Sequence, residues 1–399
     1  MAGPIPIESA FAELLGHAGS APITRVPLTE ALGCILAEDI KADRDWPPFT
    51  RSAVDGYAVF SSDTRSAPDV LEVIEEVAAG KTPTRVLSPG QAIRIMTGAP
   101  VPAGADCVIM QERTDIPKPG YVRFLMTMHS GQNMSRRAED AQTGDVVISS
   151  GTRIGPAEVG VLAAVGVTQV PVRKPLLVAI LGTGDEVVEP ELTPGPAQIR
   201  NSNSYQLLAH CAANQLKTKY LGIAPDDRET TLKMVEEGLK ADVLISTGGV
   251  SVGEHDHVGA AFKQLGVDVR FSKVAIKPGK PMNFGRRGES LVFGLPGNPV
   301  AAYLCFHMFV LTAIRQRLGA SDPLPRWLSL PLTTAVRSSG DRTTFNPAKV
   351  IVKDSASHVA PIDWHGSGHL ASLVGIDGFF VQKPGEEISA GERVTFYPM

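Results

Sequence analysis

Cysteine is scarce: the 399 residues contain four, at positions 34, 107, 211 and 305. They form no CxxC and no Cys/His ligand spacing, so a zinc site is unsupported. So sparse a set in so large a chain reads as reduced thiols. Charge of one sign is lacking too. With 38 basic and 42 acidic residues the formal net charge is −4, and no block or tail of like charge stands out. That argues against a dedicated nucleic-acid binder, which would show a basic stripe. Long hydrophobic runs are also missing. The longest, YLCFHMFVLTAI at 303–314, contains a histidine and is too short to span a bilayer. The opening stretch, MAGPIPIESAFAELLG, lacks the basic and apolar regions of a secretory signal. The expectation is a soluble cytoplasmic protein that engages neither nucleic acid nor membrane.

Glycine and proline are abundant instead, 39 and 31 residues spread along the chain. Both break helices, which excludes a helical bundle. Hydrophobic content of 43% is ample for real cores, and disorder as the main state is excluded. Residues 8–18 have helical spacing, and a second short segment, PLTEALGCILAEDI, follows before Pro47 and Pro48 interrupt. From about 54 to 150, short apolar runs alternate with Gly/Pro turns, an all-β pattern. PAEVGVLAAVG at 156–166 reads as a helix with Pro at its first position. After 175 the rhythm changes to buried strands (LLVAIL, VLIS, LVFG) alternating with helices, which indicates a doubly wound α/β domain. From 328 the chain returns to short β runs, a small barrel or sandwich. The expected division is a discontinuous N-terminal domain of 1–45 and 140–174, an inserted β-rich domain at 46–139, the α/β domain at 175–322 and a C-terminal β-barrel domain at 323–399.

Open α/β sheets bind ligands at the carboxyl ends of their strands. Three such ends share one character: LGTGDEVVEP with Glu186, ISTGGVSVGEHDH with Thr247, Gly248, Gly249, Ser251 and Asp256, and FGLPGNPV with Pro296, Gly297, Asn298 and Pro299. A Gly-rich strand end alone is equally well an ordinary turn. Three converging at one sheet edge point to a site. Thr-Gly-Gly-Val-Ser leaves successive N–H groups free to form an anion nest, and the Asn298–Pro299 junction offers a helix N-terminus to phosphate. Carboxylates beside phosphate make most sense around a hard cation such as Mg²⁺, which assigns Glu186, Asp226 and Asp256 to the metal. KVAIKPGKP supplies Lys273, Lys277 and Lys280. Lys273 and Lys277 are four apart and on a strand would share a face, suited to a polyanion.

In the N-terminal half, Asp55 lies in a tight small-residue setting and Thr97 ends an apolar strand. Arg137 and Asp140 sit in the charged segment SGQNMSRRAED. Taken alone, each of these is as well a turn or a surface ion pair. No P-loop, no G-x-G-x-x-G after a strand and no G-x-S-x-G elbow occurs. His255 and His257 flank Asp256, but no third histidine completes a histidine-based metal set.

The strings SAVDGYAV, IRIMTGAPVPAGAD, SGQNMSRRAED, GTGDEV, STGGVSVGEHD, KVAIKPGKP and GLPGNPV, in this order, resemble the molybdopterin molybdenumtransferase (MoeA) family, which includes the E domain of gephyrin. The resemblance is strong over about 5–320 and looser beyond. It implies Mg²⁺-dependent insertion of molybdate into adenylylated molybdopterin with release of AMP. It also implies an elongated homodimer of four-domain subunits, an active site in a cleft at the dimer interface, and contacts with other proteins of molybdenum cofactor biosynthesis. Asp55, Thr97, Arg137 and Asp140 match N-terminal motif positions. Glu186, Asp226, Asp256, Lys273, Lys277, Pro296 and Pro299 match positions on the α/β domain, and Ser367 in HGSGHLAS matches more loosely. Asp55, Thr97, Glu186, Asp226, Asp256, Lys273 and Lys277 are the expected catalytic set. Three positions depart from the family pattern: Ala138 and Ala197 where Gly is common, and His257 where an aromatic residue is common. The competing readings are a molybdopterin adenylyltransferase-type step and a non-catalytic scaffold of the same fold.

Overall fold

The computed structural model describes residues 3–66, 69–249, 257–337 and 340–399. The chain divides into two compact units. The larger comprises Met1–Glu38, Ser150–Gly155 and Gln169–Met399, and the smaller comprises Asp39–Ser149 and Pro156–Thr168. Among the described residues no helix is long and apolar enough to cross a membrane.

The smaller unit is built on a six-stranded sheet. Its order is Cys107–Met110, Gly56–Val59, Gln91–Ile95, Asp69–Val77, Tyr121–Phe124, Thr114–Asp115. Alternate side chains along a strand point to opposite faces, and here both faces are apolar. Tyr57, Val59, Cys107, Ile109, Val122 and Phe124 pack in one cluster. Ala58, Ile93, Ile95 and Val108 pack in another. The β character read from the sequence follows from this two-sided alternation. In the preceding PLTEALGCILAEDI only Leu28–Glu30 forms a short 3₁₀ turn.

In the larger unit the strands of the α/β sheet are β1 (Leu177–Thr183), β2 (Lys217–Ala224), β3 (Val243–Thr247), β4 (Asp268–Lys273), β5 (Pro281–Arg287) and β6 (Ser290–Leu295), ordered β2-β1-β3-β6-β5-β4. The first four in that order are parallel, β5 pairs antiparallel with β6, and β4 pairs antiparallel with β5. Val178 and Ile180 face a cluster with Leu207 and Leu304. Ala179 and Leu181 face the opposite cluster, with Val235, Val258 and Phe262. Helices therefore cover both faces, and the continuous apolar run of β1 follows from burial on two sides. Side-chain caps start two of these helices. Asn201 Oδ1 accepts from Ser204 N at 3.0 Å, and Asp227 Oδ2 accepts from Thr230 N at 2.7 Å.

The C-terminal strands close on themselves. Thr343–Lys353 pairs with Gly378–Gln382 and Ala356–Pro361, Gly378–Gln382 with Arg393–Pro398, and Arg393–Pro398 with Leu328–Pro331. The bridge from Leu332 to Val359 then brings the last edge onto Ala356–Pro361.

Candidate active site

The carboxyl ends of β1, β3 and β6 lie level, because Gly182 pairs with Thr247 and Thr247 with Leu295. A cleft of about 340 Å³ opens there, with Thr183, Glu186, Asn203, Thr247, Gly297 and Asn298 on its wall. Backbone geometry explains its glycines. Gly248 has φ 88, and a Cβ on it would stand 2.6 Å from Thr183 Oγ1. Gly184 has φ 120, and a Cβ there would stand 2.3 Å from Glu186 Oε2. Only glycine lets the strand end turn this tightly with the Glu186 carboxylate folded back over it.

Asn203 binds the cleft together. Its Nδ2 donates to Thr247 Oγ1 at 2.9 Å and to Gly297 O at 2.8 Å. Its Oδ1 is buried with no partner among the described residues. No motif in the sequence marked Asn203 for the cleft. The signal lay in the second asparagine, two positions beyond the capping one.

Two expectations of anion cradles change. The Gly248 N–H donates to Leu295 O at 3.2 Å, so that amide does not belong to an open nest. At the helix starting with Pro299, Val300 N donates to Ser367 O at 3.0 Å, and Asn298 Nδ2 donates to Ser367 Oγ at 2.9 Å. The HGSGH loop therefore already satisfies the helix start, which places Ser367 beside Asn298 at the cleft.

The shared lysine face is also corrected. β4 stops at Lys273, opposite Pro281. Val274 and Ala275 carry the chain to Ile276–Lys277, which pairs with Thr343 and Thr344 of the C-terminal sheet. The four-residue spacing thus crosses between two sheets instead of running along one strand. Lys280 is exposed on the following turn. Arg342, which motif reading missed, donates from Nη1 to Ile276 O at 3.4 Å and adds a cation at the edge carrying Lys277.

Asp226 lies at the end of β2, where its N–H donates to Asp185 Oδ1 at 2.9 Å. Glu186 and Asp226 are exposed carboxylates on neighbouring strand ends. Hard oxygen donors of this kind, few in number and open to water, fit Mg²⁺, which keeps part of its hydration. Among the described residues no three His, Cys, Asp or Glu side chains gather into a complete ligand set. Asp256 and Ser251 lie outside the described residues.

The smaller unit holds the other expected residues. Asp55 Oδ1 accepts from Thr97 Oγ1 at 2.6 Å and Thr97 N at 2.7 Å. The hydroxyl first, then the main-chain N–H, holds the Asp55 carboxyl below its usual range. Arg137 Nε donates to Asp45 Oδ2 at 2.6 Å, and Thr143 N and Oγ1 donate to Asp45 Oδ1. The Thr143 N–H, its hydroxyl and then Arg137 hold Asp45 at about 2. Asp45 is thus the fixed anion that orients Arg137, and no motif had marked it. Asp140 N donates to Trp46 O at 2.9 Å, and Asp140 lines a hollow with Trp46 and Asp145. Ala138 takes φ 59, so this alanine accepts the left-handed strain of about 1–2 kcal/mol.

Fold and cleft define a multidomain α/β protein with a candidate ligand cleft at the carboxyl ends of the parallel strands of its sheet. Residues 5–166 match the MoeA N-terminal region (domain I and II), 179–316 a probable molybdopterin binding domain, and 329–399 the MoeA C-terminal region (domain IV). The chain is 35% identical over 386 residues to a molybdopterin molybdenumtransferase of Bacillus subtilis, covering 95% of this chain and 90% of that one. It is 32% identical over 375 residues to one of Staphylococcus aureus, covering 93% and 89%. The crystal structure of a molybdopterin biosynthesis MoeA protein from Pyrococcus horikoshii superposes with TM-score 0.83 at 30% identity, covering 100% of both chains. The chain belongs to the MoeA family of molybdopterin molybdenumtransferases.

Proposed function

We propose that this chain inserts molybdenum into molybdopterin: it takes molybdate and adenylylated molybdopterin and releases AMP. The observation that carries the reading is the sheet-edge cleft, with Glu186, Asn203, Thr247 and Asn298 on its wall, inside the segment matching a probable molybdopterin binding domain. The names of the relatives support the same activity.

In this reading Thr247, Gly248, Gly249 and Ser251, with Pro296, Gly297, Asn298 and Pro299, line the pterin and phosphate positions. The buried Asn203 Oδ1 accepts a hydrogen bond from the bound pterin. Lys273, Lys277 and Lys280 stabilise oxyanion charge, and Ser367 donates from the loop beside Asn298. Asp55 and Thr97 are further catalytic residues of the proposal, and Arg137 and Asp140 further substrate-binding residues. Glu186 and Asp226, with Asp256, would hold Mg²⁺, which supplies charge neutralisation at the phosphoanhydride that links AMP to the pterin phosphate. The sulfurs that take the molybdenum belong to the substrate, so no cysteine of the chain is required. A homodimer, a cytoplasmic location and the four-domain division at 45, 139, 174 and 322 complete the proposal.

The test mixes the purified chain with adenylylated molybdopterin, molybdate and Mg²⁺ and follows AMP by chromatography. Cofactor formation is read by reconstitution of an apo-molybdoenzyme. AMP released in step with active cofactor is the expected result. Competent substrate yielding no AMP would sink the assignment, and ATP consumption without molybdate would move it to the adenylylation step.

A further inference from the structure

A second cleft in the larger unit shares no residue with the sheet-edge cleft. Its volume is about 640 Å³, and Arg153, Arg315, Arg326, His307 and Tyr397 stand on its wall. Separate stretches of chain build it. The turn at Gly151, with φ 81, comes against the turn that follows the helix Leu311–Arg317. Ser321 N donates to Gly151 O at 3.1 Å, and a Cβ on Gly151 would stand 2.9 Å from Ser321 N. Arg153 follows on the backbone bridge to Ile35. Arg315 comes from the helix Leu311–Arg317 and His307 from the π-helical turn Phe306–Val310 just before it. A π-turn shifts the helix face that follows it, and such turns recur at functional sites. Tyr397 comes from the strand Arg393–Pro398.

The charges in this cleft are not balanced by the protein. Asp322 lies 3.7 Å from Arg326. Arg315 is half-buried and, among the described residues, its guanidinium makes no hydrogen bond and no ion pair. Its charged neighbours include two further guanidinium groups, Arg153 and Arg326, against the one carboxylate of Asp322. Burial first, and then these cations, push its pKa below the usual arginine range. A half-buried guanidinium with no ion-paired anion is costly to maintain, and the cost falls when an oxyanion enters. The donors number more than a carboxylate can accept. A planar guanidinium fork, a second arginine, a tyrosine hydroxyl and an imidazole edge suit the three terminal oxygens and near-double charge of a phosphoryl group. Ile35, Leu311 and Leu324 add an apolar wall on which an organic body can lie.

We propose that this cleft is a second ligand site, for a small organic phosphate, with Arg315 and Arg153 on the phosphoryl oxygens and Ile35 and Leu311 against the organic part. The inference does not depend on the molybdenum chemistry. Calorimetric titration of the full chain with phenyl phosphate tests it, because that probe carries neither pterin nor adenine. Saturable binding is expected, weaker for inorganic phosphate, which has no organic body, and weaker again for benzoate, which has no phosphoryl group. Arg315→Gln weakens phenyl phosphate binding by about tenfold or more, the scale of a lost charge-assisted hydrogen bond, and Arg315→Lys restores part of it. Arg153→Gln, on an exposed side chain that carries no folding risk, weakens it severalfold. Lys277→Ala, which is not on the wall of this cleft, leaves it unchanged. No saturable heat, parental affinity in both arginine variants, or loss in Lys277→Ala alone overturns the proposal.

Discussion

At the residue scale, Asn203 has more influence than its size suggests. One amide nitrogen joins the end of β3 to the turn after β6, while the paired oxygen stays buried and unbonded beside the cleft. Asn203→Ala removes both ties and leaves Thr247 Oγ1 and Gly297 O with fewer partners. The expected stability loss is about 1–3 kcal/mol, read by thermal unfolding. If Oδ1 also accepts from the pterin, KM for adenylylated molybdopterin rises by about tenfold or more, beyond what a loosened fold gives. Asn203→Asp keeps the acceptor and loses the donor, so its KM should stay nearer the parent. Equal KM in both variants and the parent would confine Asn203 to a structural role. Much at this scale was legible beforehand. Glu186, Thr247 and Asn298 were readable because a Gly-rich strand end in an α/β rhythm has few other uses. Asn203 and Asp45 were not readable, because the reach of a short polar side chain across a fold leaves no periodic trace. The shared face of Lys273 and Lys277 failed for a different reason: a spacing argument assumes one unbroken strand, and β4 ends at Lys273.

At the element scale, the long helix after Asn298 is instructive. Pro299 suits its first position, and the run that follows is buried almost all round, so the apolar string reads correctly as a core helix. The π-turn Phe306–Val310 inside it was not legible, since packing against neighbours causes it and local propensity does not. That turn carries His307, whose Nε2 lies 3.2 Å from His210 Nδ1, and His210 stacks on Phe306 at 5.1 Å. Burial lowers His210 to about 4. Burial first, then His210 and Arg315, lowers His307 to about 3. Both rings are therefore neutral in the fold, whereas in the unfolded chain they titrate near 6.5. Below that value the unfolded chain binds more protons, so stability is full above about pH 6.5 and falls as pH drops toward 4. From pH 6.5 to 5 the loss is about 2 kcal/mol per histidine. Thermal unfolding at pH 7 and pH 5 should show this drop, and His307→Gln should reduce it. A drop of the same size in the variant would assign the acid sensitivity elsewhere.

At the scale of the whole molecule, the chain leaves the larger unit at Glu38 and returns to it at Ser150 and again at Gln169. The change of texture near residue 54 and again near 175 was visible in the sequence. The assignment of Ile7–His17 to the larger unit was not, because its partners lie some 300 residues away. Phe11 meets Phe309 with ring centroids 5.5 Å apart. Two of the hydrophobic clusters each lie within one unit: Phe124 with Tyr57 and Val122 in the smaller, Phe293 with Phe284 and Leu304 in the larger. Cooperativity follows shared core, so these two clusters, each internal to one unit, should melt as two events, with a calorimetric enthalpy above the van't Hoff value. Scanning calorimetry should then resolve two transitions. Phe124→Ala, at a fully buried ring, should cost about 3–5 kcal/mol and lower one transition only. Phe293→Ala should cost a similar amount and lower the other. A single transition shifted equally by both variants would mean that the two cores melt together. The insertion at Glu38 would then be a matter of chain path alone, with no independent folding unit behind it.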